Sequence, residues 1–137
     1  MFLTPVSAML ESMEKTGVLL STVIAAPTGV MSVALLALLR AMPGLEVLIQ
    51  TASLPATQQA LTRLQPHLLL LDADLPGPEL AACVRQIHTD FPELIIITLA
   101  VTPAQQKTVL SAGASYALLP GFSTGTLRQL ISGIRSA

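Results

Sequence analysis

The sequence contains little charge and few aromatic side chains. Charged residues make up 11% of its 137 residues, whereas about 25% is usual for a soluble domain. It has no tryptophan, one tyrosine and three phenylalanines, and its seven basic side chains are balanced by eight acidic ones. Because nucleic-acid binding needs a basic surface or stacking aromatics, we expect none by this chain alone. With 52% hydrophobic residues, the chain is expected to cover part of its apolar surface with a partner.

Cysteine is scarce as well. Cys83 is the single cysteine, which excludes an internal disulfide, and no cysteine and histidine residues share the spacing of metal ligands. The first fifteen residues also lack the basic and continuous apolar regions of a secretory signal. These absences favour a cytoplasmic location.

One long uncharged stretch raises the question of a membrane span. No charged residue occurs between Lys15 and Arg40, and about 20 apolar residues suffice to cross a bilayer. However, the segment Pro27-Thr28-Gly29 lies in its middle, where proline and glycine interrupt a helix. We therefore predict no membrane span, but a buried strand, a tight turn and a helix.

The rest of the chain alternates between strand-like and helix-like segments, and its length fits one domain. The predicted strands are 18–26, 45–50, 67–72, 94–100 and 115–119, and the predicted helices are 30–42, 55–64, 79–88, 103 to about 113, and one that Ser123 caps. Such alternation indicates an α/β fold: a five-stranded parallel sheet, doubly wound with helices on both faces. The run HLLLLD has no polar alternation, so it is predicted to be the central strand. Ligands of such sheets bind at the carboxyl ends of the strands, where Asp72 would lie.

An additional helix is predicted before the first strand. In residues 4–15, Thr4 can cap the helix and Pro5 suits its first turn. An apolar stripe then follows at helical spacing, formed by Val6, Met9, Leu10 and Met13. We therefore divide the chain into an N-terminal helical extension, 1–17, and one domain, 18–137. The stripe needs a surface to bury it, either on the same domain or on a second subunit.

Three segments together resemble a known family. RAMPGLEVL, PHLLLLDADLPG and SAGASYALLPGFSTGTLRQLI are similar to segments of the receiver domain of bacterial two-component response regulators, most of all those that precede a helix-turn-helix output domain. The resemblance runs from Val23 to the C-terminus. It implies the flavodoxin-like, CheY-like arrangement of five βα units and a role in signal transduction. Because the chain stops just after its last predicted helix, we expect no output domain within these residues.

The chemistry of that family needs four groups, and the resemblance assigns each a position here. Asp72 occupies the position of the carboxylate that accepts the phosphoryl group. The two acidic residues that hold Mg²⁺ correspond to Ala26 and Pro27, the hydroxyl residue after the fourth strand to Ala100, and the lysine after the fifth strand to Pro120. We therefore predict that the Mg²⁺ site is lost, that no cofactor is bound, and that the chain is not an enzyme. Attack by a carboxylate on a phosphorylated donor brings together negative charges that a cation must neutralise.

The resulting interpretation is a degenerate receiver, or pseudo-receiver, that works by protein contact without phosphorylation. Its expected interaction surface includes Tyr116, Leu118 and Phe122, and its partner is another protein or a second copy in a homodimer. Two alternatives stay open. One is a working phospho-acceptor that uses Asp72 with an unusual metal arrangement or donor, and the other is a small-ligand sensor that uses the emptied crevice around Asp72.

Overall fold

The computed structural model describes residues 19–76 and 79–136. The ten elements, in chain order, are β1 (Leu20–Ala25), α1 (Val30–Arg40), β2 (Leu45–Thr51), α2 (Leu54–Leu64), β3 (Leu68–Asp72), α3 (Leu80–Asp90), β4 (Ile95–Leu99), α4 (Pro103–Ala112), β5 (Tyr116–Leu118) and α5 (Thr124–Ser136). Every predicted strand and helix of the domain is present. The predicted helix at residues 4–15 lies outside the described residues.

The strands form one sheet in the order β2-β1-β3-β4-β5, and every neighbouring pair is parallel. Since the order reverses direction at β1, crossovers to the two sides of this strand place helices on opposite faces of the sheet. The predicted α/β, doubly wound fold is thereby confirmed. None of the helices in the described ranges is long and apolar enough to cross a membrane.

Two apolar clusters, one on each face of the sheet, hold the helices in place. One cluster joins the sheet to α2, α3 and α4, and the other joins it to α1 and α5. The central strand β3 contributes to both, because successive side chains point to opposite faces. Its four leucines, Leu68 to Leu71, are at most 2% exposed. The prediction that HLLLLD is the central strand, covered on both faces, is confirmed.

A β-bulge in β2 was not predicted from the sequence. Thr22 pairs with Val47 and the next residue, Val23, pairs with Ile49, so Leu48 is left without a partner. The extra residue changes the alternation of the strand. As a result Val47 packs in the cluster with α1 and α5, whereas Ile49 packs against the opposite cluster.

Candidate functional site at the carboxyl edge of the sheet

The structure places Asp72 where the sequence predicts it, at the carboxyl end of the central strand. Asp72 pairs in register with Leu99 at the end of β4. The residue before it, Leu71, pairs with Ala25 at the end of β1. The Asp72 side chain is half-buried. Because parallel strands end at the same edge, the residues that follow β1, β4 and β5 share this edge with Asp72.

The Asp72 carboxylate is engaged with its own loop. Its Oδ1 accepts a hydrogen bond from the backbone N–H of Asp74 at 2.8 Å, and its carbonyl accepts one from Leu75 at 3.1 Å. An aspartate that bonds the backbone two residues later stabilises a turn. Asp72 thus ends the strand and fixes the loop in addition to any chemical role.

The positions of the family's acidic pair are filled by small or stiff residues at the end of β1. Ala26 has 0% exposure, and its N–H donates to the carbonyl of Thr51 at 2.9 Å. Pro27 is half-buried. A magnesium ion needs several oxygen ligands in fixed positions, and neither of these side chains carries one.

A pair of buried hydroxyls lies next to this loop, between β2 and α2. Thr51 and Thr57 are 6% and 0% exposed, and their Oγ1 atoms are 2.6 Å apart. The Thr57 hydroxyl donates a hydrogen bond to the carbonyl of Ser53 at 2.7 Å. Because a hydroxyl has one hydrogen to donate, the Thr51 hydroxyl is the donor in its bond with Thr57. This pair was not predicted from the sequence. The sequence signal for Thr57 is its position four residues after Ser53, the N-cap.

At the ends of β4 and β5, the hydroxyl and lysine positions carry no polar side chain. Ala100 is 3% exposed, and its N–H donates to the carbonyl of Leu118 at 2.8 Å. The nearest earlier hydroxyl, that of Thr98, donates to the carbonyl of Tyr116 at 3.2 Å inside the sheet. Thr98 is fully buried, so its hydroxyl serves the β4–β5 contact. Pro120 is exposed and has neither a cationic side chain nor an N–H.

The carboxylates of this edge do not assemble into a metal-binding cluster. Asp74 is exposed, and Asp72 is half-buried. Within residues 19–76 and 79–136 there is no group of three or more His, Cys, Asp or Glu side chains that could hold a metal ion. The donor set around Asp72 therefore does not fit the hard, oxygen-rich site that Mg²⁺ requires.

The predicted interaction residues lie at the β5 edge of the sheet. Tyr116 is 39% exposed, whereas Leu118 and Phe122 are half-buried and pack against the cluster with α1 and α5. The side chain of Gln106, from α4, donates to the carbonyl of Ala117 at 2.7 Å. Successive carbonyls of a strand point to opposite sides, and the Leu118 carbonyl faces β4. The Ala117 carbonyl therefore faces outward from the edge strand, and the hydrogen bond from Gln106 covers it.

Cys83 and His67 both lie away from the carboxyl edge of the sheet, in positions where they support the fold. Cys83 is 6% exposed in the core, and burial raises the pKa of its thiol. Nδ1 of His67 accepts the Ser21 N–H at 3.1 Å and lies 2.9 Å from the Ser21 hydroxyl. This pair joins the amino ends of β3 and β1, at the opposite edge from Asp72.

Comparison with solved structures identifies the fold. The chain is similar to the signal receiver domain of the response regulator NarL from Mycobacterium tuberculosis, with a TM-score of 0.76 and 15% identity over 87% of this chain and 98% of that one. It is similar to the isolated receiver domain of RcsB from Salmonella enterica serovar Typhimurium, with a TM-score of 0.77 and 20% identity over 87% and 90% of the chains. It is also similar to a response regulator from Chloroflexus aurantiacus, with a TM-score of 0.77 and 21% identity over 87% of this chain and 99% of that one.

These likenesses show that the chain has the CheY-like receiver fold, as the sequence resemblance implied. No protein-family model and no curated protein sequence matches it.

Proposed function

We propose that this chain is a receiver-like signalling domain that acts by protein contact and does not take up a phosphoryl group by the metal-dependent route. One observation carries the proposal. The edge residues that correspond to the metal ligands, the hydroxyl and the lysine are Ala26, Pro27, Ala100 and Pro120, and two of them are buried in the fold. Asp72 alone retains the chemistry of its position.

The electrostatics of phosphoryl transfer supports this proposal. A carboxylate and a phosphorylated donor repel each other at short range, and a divalent cation or a lysine normally neutralises the charge. Here Asp72 has an exposed aspartate, Asp74, two residues away, and an uncharged proline where the lysine would be. Both features disfavour the approach of a phosphate.

The β5 edge is the proposed contact surface. Tyr116 combines an exposed ring with a position on the last strand of the sheet, and tyrosine is enriched at protein interfaces. Because Gln106 already occupies the Ala117 carbonyl, strand addition at this edge would have to break that bond. Side-chain packing on Tyr116, Leu118 and Phe122 is therefore the favoured mode, with a second copy of the chain or another protein as the partner.

The phosphorylation claim is tested with beryllofluoride, the phosphomimetic present in the RcsB structure. We expect no Mg²⁺-dependent change in Tm or amide shifts on adding it to this protein. A working acceptor at 100-fold excess over Kd would gain about 2.7 kcal/mol of stability, which raises the Tm by several degrees. If beryllofluoride and Mg²⁺ raised the Tm of the wild-type protein, and Asp72→Asn abolished this rise, the proposal would be overturned. A gain that persists in Asp72→Asn would mark binding elsewhere.

The contact surface is tested by charge substitution at two strand positions of similar exposure. Tyr116 on β5 is 39% exposed, and Leu48 on β2, at the other edge of the sheet, is 37% exposed. In sedimentation velocity of the full chain, Tyr116→Glu is expected to weaken self-association about tenfold or more, whereas Leu48→Glu leaves it unchanged. Equal effects of the two substitutions would reject this surface, and a wild-type chain that stays monomeric would reject the homodimer.

The small-ligand alternative receives less support from the geometry. A sensor in the emptied crevice would need open space beside Asp72, but Ala26 and Ala100 are 0% and 3% exposed. Their backbone N–H groups are bonded to neighbouring strands. A cavity of about 590 Å³ lies instead among the residues at the opposite end of the sheet.

A further inference from the structure

The edge strand β5 lacks most of the features by which edge strands avoid pairing with another chain. Besides being short, such strands usually carry charged side chains, prolines or bulges. β5 has only three residues, Tyr116–Leu118, but no charged residue occurs anywhere between Lys107 and Arg128, and its pairing with β4 has no bulge. Its outward backbone groups are therefore a potential template for a second strand.

The opposite edge strand, β2, carries two protective features that β5 lacks. Glu46 is an exposed charged residue on this strand, and the bulge at Leu48 interrupts its regular pairing. A strand that approached β2 would have to desolvate the charge and match the bulge. The two edges of the sheet thus differ, and protection of β5 has to come from another element.

The side chain of Gln106 covers this edge from α4. The carbonyl of Leu118 accepts a bond from Ala100, the residue after β4, and the backbone groups of successive residues point to opposite sides of a strand. Both the N–H and the carbonyl of Ala117 therefore face away from β4. Gln106 is half-buried, and its amide donates to the Ala117 carbonyl at 2.7 Å. This bond leaves that carbonyl without an open side for another strand.

An uncovered Ala117 would suit pairing with a second copy of the chain. In an antiparallel pair, two residues that lie directly opposite each other can exchange both of their N–H···O bonds. If Ala117 lay opposite its counterpart in a second copy, a two-fold axis would pass between them, and the interface would be self-complementary. In the wild-type protein such pairing has to break two Gln106 bonds, one in each copy.

We propose that Gln106 protects the β5 edge: its amide occupies the Ala117 carbonyl and keeps two copies of the chain from joining their sheets through antiparallel β5 strands. Contacts at this edge are thereby restricted to side chains. The inference concerns backbone pairing and does not rest on the side-chain contact or on the absence of phosphorylation proposed above.

Removal of the amide tests this role. Gln106→Leu keeps a long side chain with a similar helix propensity but has no hydrogen-bond donor, and Gln106→Ala removes the amide without adding apolar surface. In sedimentation velocity of the full chain, both variants are expected to self-associate about tenfold or more tightly than wild type, because pairing no longer breaks two hydrogen bonds. Wild-type behaviour of both variants, or tighter association of only one of them, would overturn the proposal.

Gln59 provides the matched control for added apolar surface. It is exposed on α2, a helix that follows the other edge strand, so Gln59→Leu makes the same substitution away from β5. We expect its self-association to equal that of wild type. Association as tight as that of Gln106→Leu would assign the effect to general stickiness and would reject the protective role of Gln106.

Hydrogen exchange shows whether the associated copies pair through their backbones. In Gln106→Leu, exchange of the Ala117 amide hydrogen should slow as the protein concentration rises, because this N–H becomes bonded to the second copy. In wild type its rate should not depend on concentration. If the variant associated while the Ala117 rate stayed constant, the copies would meet through side chains and the proposal would fail. Loss of wild-type association in Tyr116→Glu has no bearing on this rate, so the two proposals fail independently.

Discussion

Gly113, at the end of α4, has a backbone conformation that side chains other than glycine rarely adopt. Its φ is +124°, and a Cβ atom there would lie 2.6 Å from Cγ of the His88 ring. We expect Gly113→Ala to lower the free energy of unfolding by about 1–3 kcal/mol from the backbone strain alone, with the clash adding to this. Urea unfolding followed by circular dichroism measures the loss.

Gly133 provides the control for this prediction. It lies within α5, and a Cβ there would meet no atom within 4 Å. Gly133→Ala is therefore expected to stabilise the protein by about 0.5–1 kcal/mol, because alanine has the higher helix propensity. Adding His88→Ala to Gly113→Ala removes the ring atoms at 2.6 and 2.7 Å but keeps the His88 Cβ at 2.9 Å, so it should recover only the part of the loss that comes from the ring. If Gly113→Ala proved as stable as wild type, the described turn would be wrong.

Cys83 gives stability a pH dependence whose sign follows from its burial. Burial raises the pKa of its thiol above the ordinary value of 9.0. As the pH rises through about 9, the unfolded chain loses this proton while the folded chain keeps it, so stability falls. We expect the free energy of unfolding to decline less steeply between about pH 8 and pH 10 in Cys83→Ala than in wild type. Parallel declines in the two proteins would contradict this, since the remaining titrating groups are the same.

At the scale of elements, α4 shows how a short sequence signal specifies a helix start. Oγ1 of Thr102 accepts the N–H of Gln105 at 3.1 Å, and Pro103 occupies the first turn. The sequence Thr102-Pro103-Ala104-Gln105 has the pattern of a capping box, which predicts this N-cap and a bond from the Gln105 side chain back to the N–H of the cap residue. The structure differs in one detail, because Oε1 of Gln105 accepts the N–H of Val101 at 2.7 Å, one residue before the cap.

Removal of this cap has a defined cost. We expect Thr102→Ala to lower the free energy of unfolding by about 0.5–2 kcal/mol, because a backbone N–H of the first turn loses its acceptor. Thr108→Ala is the control: its exposed hydroxyl donates only to the carbonyl of Ala104 in the same helix, and its removal should change stability by less than about 0.5 kcal/mol. Equal losses in chemical denaturation would show that Thr102 does not act as a cap.

Four of the five strands, β2 to β5, begin and end within one residue of their predicted bounds. Continuous apolar runs mark β3 and β4, because strands buried on both faces have no room for polar side chains. The bulge at Leu48 was missed, since register depends on the neighbouring strand. The helical spacing of Ala60, Leu61 and Leu64 predicts that Leu64 lies on the buried face of α2, but its side chain is 37% exposed. The helix ends there, and Gln65 turns the chain away with a φ of +48°.

The sequence predicted where the residues of the candidate site lie along the strands, but it did not predict their hydrogen bonds. Spacing within the sequence placed Ala26, Asp72 and Ala100 at strand ends, and the structure places them at one edge of the sheet. The hydroxyl pair of Thr51 and Thr57 could not be predicted, because it joins a strand end to a helix through tertiary packing. The functional meaning of the edge residues stays a prediction.

At the scale of the whole molecule, the two ends of the sheet differ in how they are closed. The carboxyl edge is filled by small residues whose backbone groups bond across strands, while the amino end retains a cavity of about 590 Å³. The sequence resemblance implies acidic residues at this edge in receivers that accept phosphate, and like charges held close together cost stability. Under the proposed function, buried alanine in place of such a charge relieves this cost for the fold.

Restoring one acidic residue tests this idea. Ala26 is 0% exposed, so a carboxylate in Ala26→Asp must be desolvated, and we expect a loss of about 2 kcal/mol or more in the free energy of unfolding near pH 7. Burial raises the pKa of a carboxyl group, so its neutral form is tolerated better. The deficit relative to wild type should therefore be small at about pH 4 and grow as the pH rises. Thr28→Asp adds the same charge at an exposed position of the same loop and should show no such dependence. If Ala26→Asp matched wild type at neutral pH, this edge would admit water and charge as a phosphate-accepting receiver does, and the case for a domain stabilised by the loss of its switch would fail.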